Sequence, residues 1–209
     1  MIYLLGAIAI FIGYLSGSIP VGYLVARAYG IDVTASGSGR TGGTNVLRAA
    51  GPVAAALTVL GDVFKGLTPV YILSAISAPP LVIALTGVAA VLGHNHSIFL
   101  GFRGGVGAGT AVGALGGLNF YGGLIAAACG LIGLGLSGYA SILSTMIAIS
   151  GLMVLLILAI LGYTPYQYII FGVLTLLLMG NALRPNYARL RAGTERKVGR
   201  KNDTAVKAS

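Results

Sequence analysis

The chain has 209 residues, of which 56% are hydrophobic and 8% charged, with a formal net charge of +9. Soluble domains carry roughly a quarter charged residues, so this composition excludes a soluble globular enzyme and indicates an integral membrane protein. A single cysteine, Cys129, excludes an intrachain disulfide or a cysteine metal site and reads as a small buried residue.

The first apolar segment runs from 2 to 29. It has no basic leader and is longer than the apolar core of a signal peptide, so it is expected to be a retained first helix. Further apolar segments follow at 52–77, 79–100, 122–139, 141–162 and 166–183, and a glycine-rich stretch at 104–118 reads as a short extra span. At about 20 residues per crossing the chain is expected to be all-α and polytopic, with about seven transmembrane helices. Twelve of the thirteen basic residues then fall at one end of the spans, with Lys65 the exception. By the positive-inside rule that end is cytoplasmic, which puts the N-terminus outside and the C-terminus in the cytoplasm. The expected organisation is a membrane domain over 1–183 with cytoplasmic motif loops at 36–51 and 93–110, followed by a basic cytoplasmic tail over 184–209.

Polar residues close to hydrocarbon are costly and therefore informative. The loop "SGSGRTGGTNVLRAAG" holds a G-x-G-x-x-G at Gly37, Gly39 and Gly42, with Asp62 twenty positions further on. A dinucleotide fingerprint needs a strand before the glycines and a soluble βαβ unit around them, and membrane helices flank this one. Its glycines, Ser38, Thr44, Asn45, Arg40 and Arg48 suit a phosphate monoester instead. Asp62 and Lys65 stand i, i+3 on one helix face, either as an ion pair that orients the helix or with Lys65 lending charge to the site. In "GHNHSIFLGFRGGVGAGT", His94 and His96 stand i, i+2 and point apart on a helix, so no metal is expected there. Gly104, Gly105 and Gly107 beside Arg103 offer backbone N–H groups to an anion, whereas the later members of the glycine series at every fourth residue read as helix packing. The tail carries eight positive and two negative charges over 183–207. Attraction to anionic lipid explains its distal part but not the mixed chemistry of Asn186, Arg189 and Glu195.

These three segments resemble the bacterial acyl-phosphate-dependent glycerol-3-phosphate acyltransferases. The family patterns "GSGNxGATN" with a following "VLR", "GHxxPvFxxFkGGKGVAT" and "HxxNIxRLxxGxExK" are similar to "GSGRTGGTNVLR", "GHNHSIFLGFRGGVGAGT" and "LRPNYARLRAGTERK". The family's "FDxxKG" resembles "GDVFKG", and "SGSIP" near the start also matches. The resemblance implies transfer of a fatty acyl group from acyl phosphate to the 1-position of glycerol 3-phosphate, forming lysophosphatidic acid in phospholipid biosynthesis. It implies a bacterial inner-membrane, multi-pass protein whose active site faces the cytoplasm, whose partners are the two substrates and the bilayer, and which needs no cofactor, metal or nucleic acid.

Carried over by position, Ser38, Arg48, His94, Asn186 and Glu195 become candidate catalytic residues. Gly37, Gly39, Thr44, Asn45, Lys65, Arg103, Gly104, Gly105, Gly107, Thr110 and Arg189 become candidate substrate-binding residues, and Arg40 joins them by its charge. Three departures stand inside the motifs: Arg40 replaces an asparagine, Val106 a lysine and Leu183 a histidine. Arg40 or Arg103 would have to supply the charge that Val106 lacks. Two other readings stay open at this point. One is a family paralogue that binds a phosphorylated lipid or uses another donor. The other is a small transporter, for which two related halves are expected and no internal repeat is visible.

Overall fold

The computed structural model describes residues 2–198, and the secondary structure among them is helical apart from one isolated β-bridge between Ser97 and Arg103. Eight α-helices follow in order: α1 Ile2–Ser18, α2 Val21–Ala28, α3 Gly43–Ala75, α4 Pro80–Asn95, α5 Ala108–Leu118, α6 Phe120–Ser137, α7 Ala140–Ile160 and α8 Tyr168–Arg191. A short 3-10 turn, Ile98–Leu100, follows α4. The expected all-α membrane architecture is present: five apolar stretches are long enough to cross a bilayer, namely Tyr3–Ala28, α3, α6, α7 and α8. Two shorter apolar helices, α4 and α5, complete the bundle.

Local chemistry accounts for the interruptions. The first apolar stretch breaks between Ser18 and Val21, where Pro20 has no N–H to continue the helical ladder. Near its start α3 is kinked at Gly51, whose φ of 87° leaves the helical region, and Pro52 then begins the long apolar part. Residues 43–50 therefore form a short separate helical segment carrying Asn45 and Arg48. At the other end, α8 continues past Leu183 to Arg191, so the third motif begins on a helix rather than on a free tail.

The eleven-residue α5 lies at the centre and packs against α3, α4, α6 and α7. Its glycines permit this: a Cβ on Gly113 would overlap the Val63 carbonyl, and one on Gly66 of α3 would overlap the Thr110 carbonyl. Among helices in lipid, where apolar surface gains little by leaving the solvent, such close backbone approach supplies the packing energy. The core of Val70, Ile83, Leu115, Phe171 and Met179 closes one end of the bundle. The loops that carry the three motifs gather at the other end.

Candidate active site

Asn45, in the first turn of α3, organises the loop after α2. Its amide nitrogen donates to the carbonyls of Val33, Ser36 and Arg40 at 3.1, 2.9 and 2.8 Å, and its oxygen accepts from the Ser38 N–H at 3.2 Å. Gly37 makes the approach possible: its φ is 60°, and a Cβ there would overlap the Asn45 oxygen. At 3% exposure Asn45 acts from behind the loop, holding Ser38 and Arg40 forward.

Arg40 ties this loop to the end of α8. Its guanidinium donates to Asn186 Oδ1 at 2.9 Å and to the Ala182 carbonyl at 2.5 Å. Asn186 Nδ2 donates in turn to Glu195 Oε1 at 2.7 Å, and Arg189 Nε donates to Glu195 Oε2 at 2.7 Å. The Glu195 side chain is 7% exposed, so its charge is held by these two donors. Burial is the largest influence pulling the Arg40 guanidinium below its ordinary pKa, with Arg189 adding to it and Glu195 opposing it. A guanidinium starts so far above neutrality that Arg40 stays cationic. Beyond α8 the chain folds back. Arg48 donates to the Arg196 carbonyl at 3.2 Å, and the Val198 N–H donates to the Gly138 carbonyl at 2.8 Å.

The end of α4 and the glycine turn after it form the second wall. His94 is 4% exposed, and its carbonyl accepts from the Gly105 N–H at 3.1 Å. The missing side chain at Gly105 admits the imidazole, since a Cβ there would overlap His94 Nε2. On the other side of the ring, Nδ1 lies 3.4 Å from Asp62 Oδ1, and Asp62 pairs with Lys65 at 2.8 Å. Lys65 also donates to the Ile19 carbonyl at 2.9 Å, at the break between α1 and α2. Asn95 was not singled out in the sequence. With its amide turned to satisfy its neighbours, it donates to the Val106 and Val91 carbonyls at 3.0 and 3.1 Å and so steadies the turn.

These walls enclose a cavity of about 890 Å³. All five residues proposed as catalytic (Ser38, Arg48, His94, Asn186 and Glu195) line it. So do Gly37, Arg40, Thr44 and Asn45 from the first motif, Gly105 and Gly107 from the second, and Arg189 from the third. Gly39, Lys65, Arg103, Gly104 and Thr110 are not among its lining residues. Arg103 is exposed, and Thr110 is fully buried behind the wall. Asp62, which the sequence groups with Lys65 beside the first motif, lines the cavity, and so do Ser141, Ser144 and Arg196, which the sequence did not point to. Ser141 and Ser144 stand i, i+3 near the start of α7, and a pair of hydroxyls inside an apolar span was the available signal.

Polarity divides the cavity. Arg40, Arg48, Arg189 and Arg196 gather at one end, and Val63, Val112, Leu143 and Ile147 line the other. Val106 and Leu183 add apolar surface to the lining, with Leu183 directly following the carbonyl that Arg40 holds. Such a space takes a molecule with an anionic head and an apolar tail.

A family profile described as glycerol-3-phosphate acyltransferase matches residues 7–193. The chain is 38% identical to the glycerol-3-phosphate acyltransferase of Shouchella clausii (strain KSM-K16) over 193 residues, which is 91% of this chain and 94% of that one. It is 51% identical to that of Rubrobacter xylanophilus over 110 residues, spanning 53% of this chain and about half (55%) of that relative. The fold matches the crystal structure of PlsY (YgiH), an integral membrane glycerol 3-phosphate acyltransferase. For the glycerol 3-phosphate form the TM-score is 0.84, with 31% identity, covering 93% of this chain and 96% of that one. For the lysophosphatidic acid form it is 0.83, with 32% identity, covering 92% and 94%. Three sequence motifs, the bundle that assembles them and these relatives meet in one assignment: the chain belongs to the glycerol-3-phosphate acyltransferase family.

Proposed function

We propose that this protein transfers a fatty acyl group from acyl phosphate to the 1-hydroxyl of glycerol 3-phosphate, releasing lysophosphatidic acid and inorganic phosphate for phospholipid biosynthesis. The observation that carries the reading is the divided cavity, in which four arginines meet an apolar arm. Both substrates present phosphate to the arginines, and the donor also brings an alkyl chain whose burial contributes about 0.8 kcal/mol per CH₂.

The hydroxyl oxygen of glycerol 3-phosphate attacks the acyl carbonyl carbon. The bond from that carbon to the phosphate oxygen breaks, and phosphate departs with the electron pair. Arg40 and Arg48, with the N–H groups of the glycine turns, offset charge on the leaving phosphate and the developing oxyanion. Arg189 and Asn186, both held by Glu195, position the acceptor phosphate. The hydroxyl proton passes to His94 or to the departing phosphate, while Glu195 holds Asn186 and Arg189.

In this reading α4 and α5 are short crossings, which makes seven in all. The N-terminus lies outside, and the cavity's arginine end opens to the cytoplasm of a bacterial cell at its inner membrane. Purified protein in vesicles, given palmitoyl phosphate and labelled glycerol 3-phosphate, is expected to make lysophosphatidate. Formation no greater than in empty vesicles would replace this reading with that of a binding paralogue, whose supporting features are Val106 and Leu183.

A further inference from the structure

Residues 194–198 run from the end of α8 to the turn between α6 and α7, and they are tied down along the way. The Thr194 N–H donates to the Arg189 carbonyl at 2.9 Å, and Glu195 is held by Asn186 and Arg189. Arg48, from the first motif, donates to the carbonyls of Arg196 and Lys197 at 3.2 and 3.5 Å. The Lys197 ammonium lies 5.6 Å from the centre of the Tyr139 ring, and its stem passes so close to Gly138 that a Cβ there would stand 3.2 Å from Lys197 Cδ. The Val198 N–H then donates to the Gly138 carbonyl at 2.8 Å. These residues form a strap that joins α8, the first motif and the α6–α7 turn. Arg48 takes only the backbone carbonyl of Arg196, whose side chain is exposed and lines the arginine end of the cavity. The charges of Arg48 and Arg196 are close enough to repel. Among the described residues the acids are engaged elsewhere: Asp32 with Thr34, Asp62 with Lys65, and Glu195 with Asn186 and Arg189. Two guanidinium groups that repel, with no carboxylate between them, suit a phosphate monoester, whose oxygens accept from both and whose charge offsets theirs. The family pattern "GxExK" fixes Gly193, Glu195 and Lys197 and leaves position 196 open, so the resemblance gives Arg196 no role.

We propose that Arg196 is a further substrate-binding residue, which grips a substrate phosphate together with Arg48 and which the strap holds in place through its backbone. The proposal rests on the acyl-phosphate reading above and adds a residue to its site. The phosphate is that of glycerol 3-phosphate or that of the acyl donor, and varying each substrate in turn tells the two apart.

The test uses full-length protein in vesicles. Arg196→Gln keeps the carbonyl that Arg48 holds, so the strap stays seated. The variant is expected to raise KM about tenfold for at least one of glycerol 3-phosphate and palmitoyl phosphate, and to lower kcat by a smaller factor. Arg196→Lys keeps the charge and is expected to recover most of the loss. Val198→Pro removes the N–H that the Gly138 carbonyl accepts while leaving Arg196 in the sequence, and it is expected to raise the same KM by about threefold or more. Unchanged KM for both substrates in Arg196→Gln, or a loss confined to kcat, overturns the proposal. Wild-type KM in Val198→Pro overturns the strap's part in it. Equilibrium dialysis of labelled glycerol 3-phosphate and of a non-transferable palmitoyl phosphonate, with the native protein and with Arg196→Gln, separates this proposal from the reading it rests on. A ligand held about tenfold more weakly by the variant, in a protein that transfers no acyl group, would leave Arg196 as a phosphate-binding residue and remove the acyltransferase reading.

Discussion

Arg40→Asn is expected to lower kcat/KM for acyl transfer by about a hundredfold or more, the scale for losing one preorganised donor at a developing charge. The residue it creates is the one the family pattern carries at this position, so a simple return to pattern would leave activity intact or raise it. The geometry argues otherwise. Val106 and Leu183 leave apolar surface where the resembled motifs have a lysine and a histidine, and Arg103 lies outside the cavity. Arg40 lines the cavity and reaches the carbonyl next to Leu183, braced by Asn186 and the Ala182 carbonyl. Its removal also leaves those two acceptors without the guanidinium, which costs about 1–3 kcal/mol for each that stays buried. Arg40→Lys keeps the charge but not the planar fork, and it is expected to fall between wild type and Arg40→Asn. Steady-state kinetics on purified protein, with melting curves to separate stability from rate, decide the matter. Undiminished turnover in Arg40→Asn would remove Arg40 from the catalytic account.

Asn45→Asp is expected to cost about as much by a different route. The substitution is nearly isosteric and keeps an oxygen for the Ser38 N–H. It removes the donors to Val33, Ser36 and Arg40, however, and sets a carboxylate against three carbonyl oxygens. At a net of about 1 kcal/mol per hydrogen bond plus the unmet carbonyls, the loop loses roughly 3 kcal/mol or more. The spanning helices draw their packing from elsewhere and remain. The expected result is a protein that melts close to wild type, loses about a hundredfold in turnover, and becomes cleavable by trypsin at Arg40 in vesicles opened to the protease. Wild-type resistance at Arg40 together with wild-type turnover would show that the Asn45 bonds do not hold the loop.

Hydropathy and charge were enough to read the helices and the clustering of the basic residues, because lipid compels both. The motif residues were legible by type: glycines, hydroxyls and arginines suit phosphate whatever their partners. What stayed hidden were the partners. Arg40 meets Asn186 across 146 positions, and His94 meets Asp62 across two helices. No periodicity within one helix encodes such meetings. Lys65 shows the limit on charge reasoning. A lysine in an apolar span reads equally as a site cation or as half of an ion pair, and only the approach to Ile19 shows that it anchors the α1–α2 break. Ser141 and Ser144 were overlooked because a serine hydroxyl can bond back to its own helix, as Ser144 does to Ala140, and so asks for no partner. The Pro20 break was visible as a residue, but its consequence, a short α2 leading into the first motif loop, depended on tertiary packing.

In the proposed reaction a glycerol 3-phosphate hydroxyl attacks an acyl carbonyl and expels phosphate. Acyl phosphate labelled with oxygen-18 in the bridging position tests it in a single incubation with the wild-type protein and glycerol 3-phosphate. The label is expected in inorganic phosphate, with one lysophosphatidate formed for each phosphate released and no label in the new ester. Label retained in free fatty acid, or phosphate released without lysophosphatidate, would contradict it.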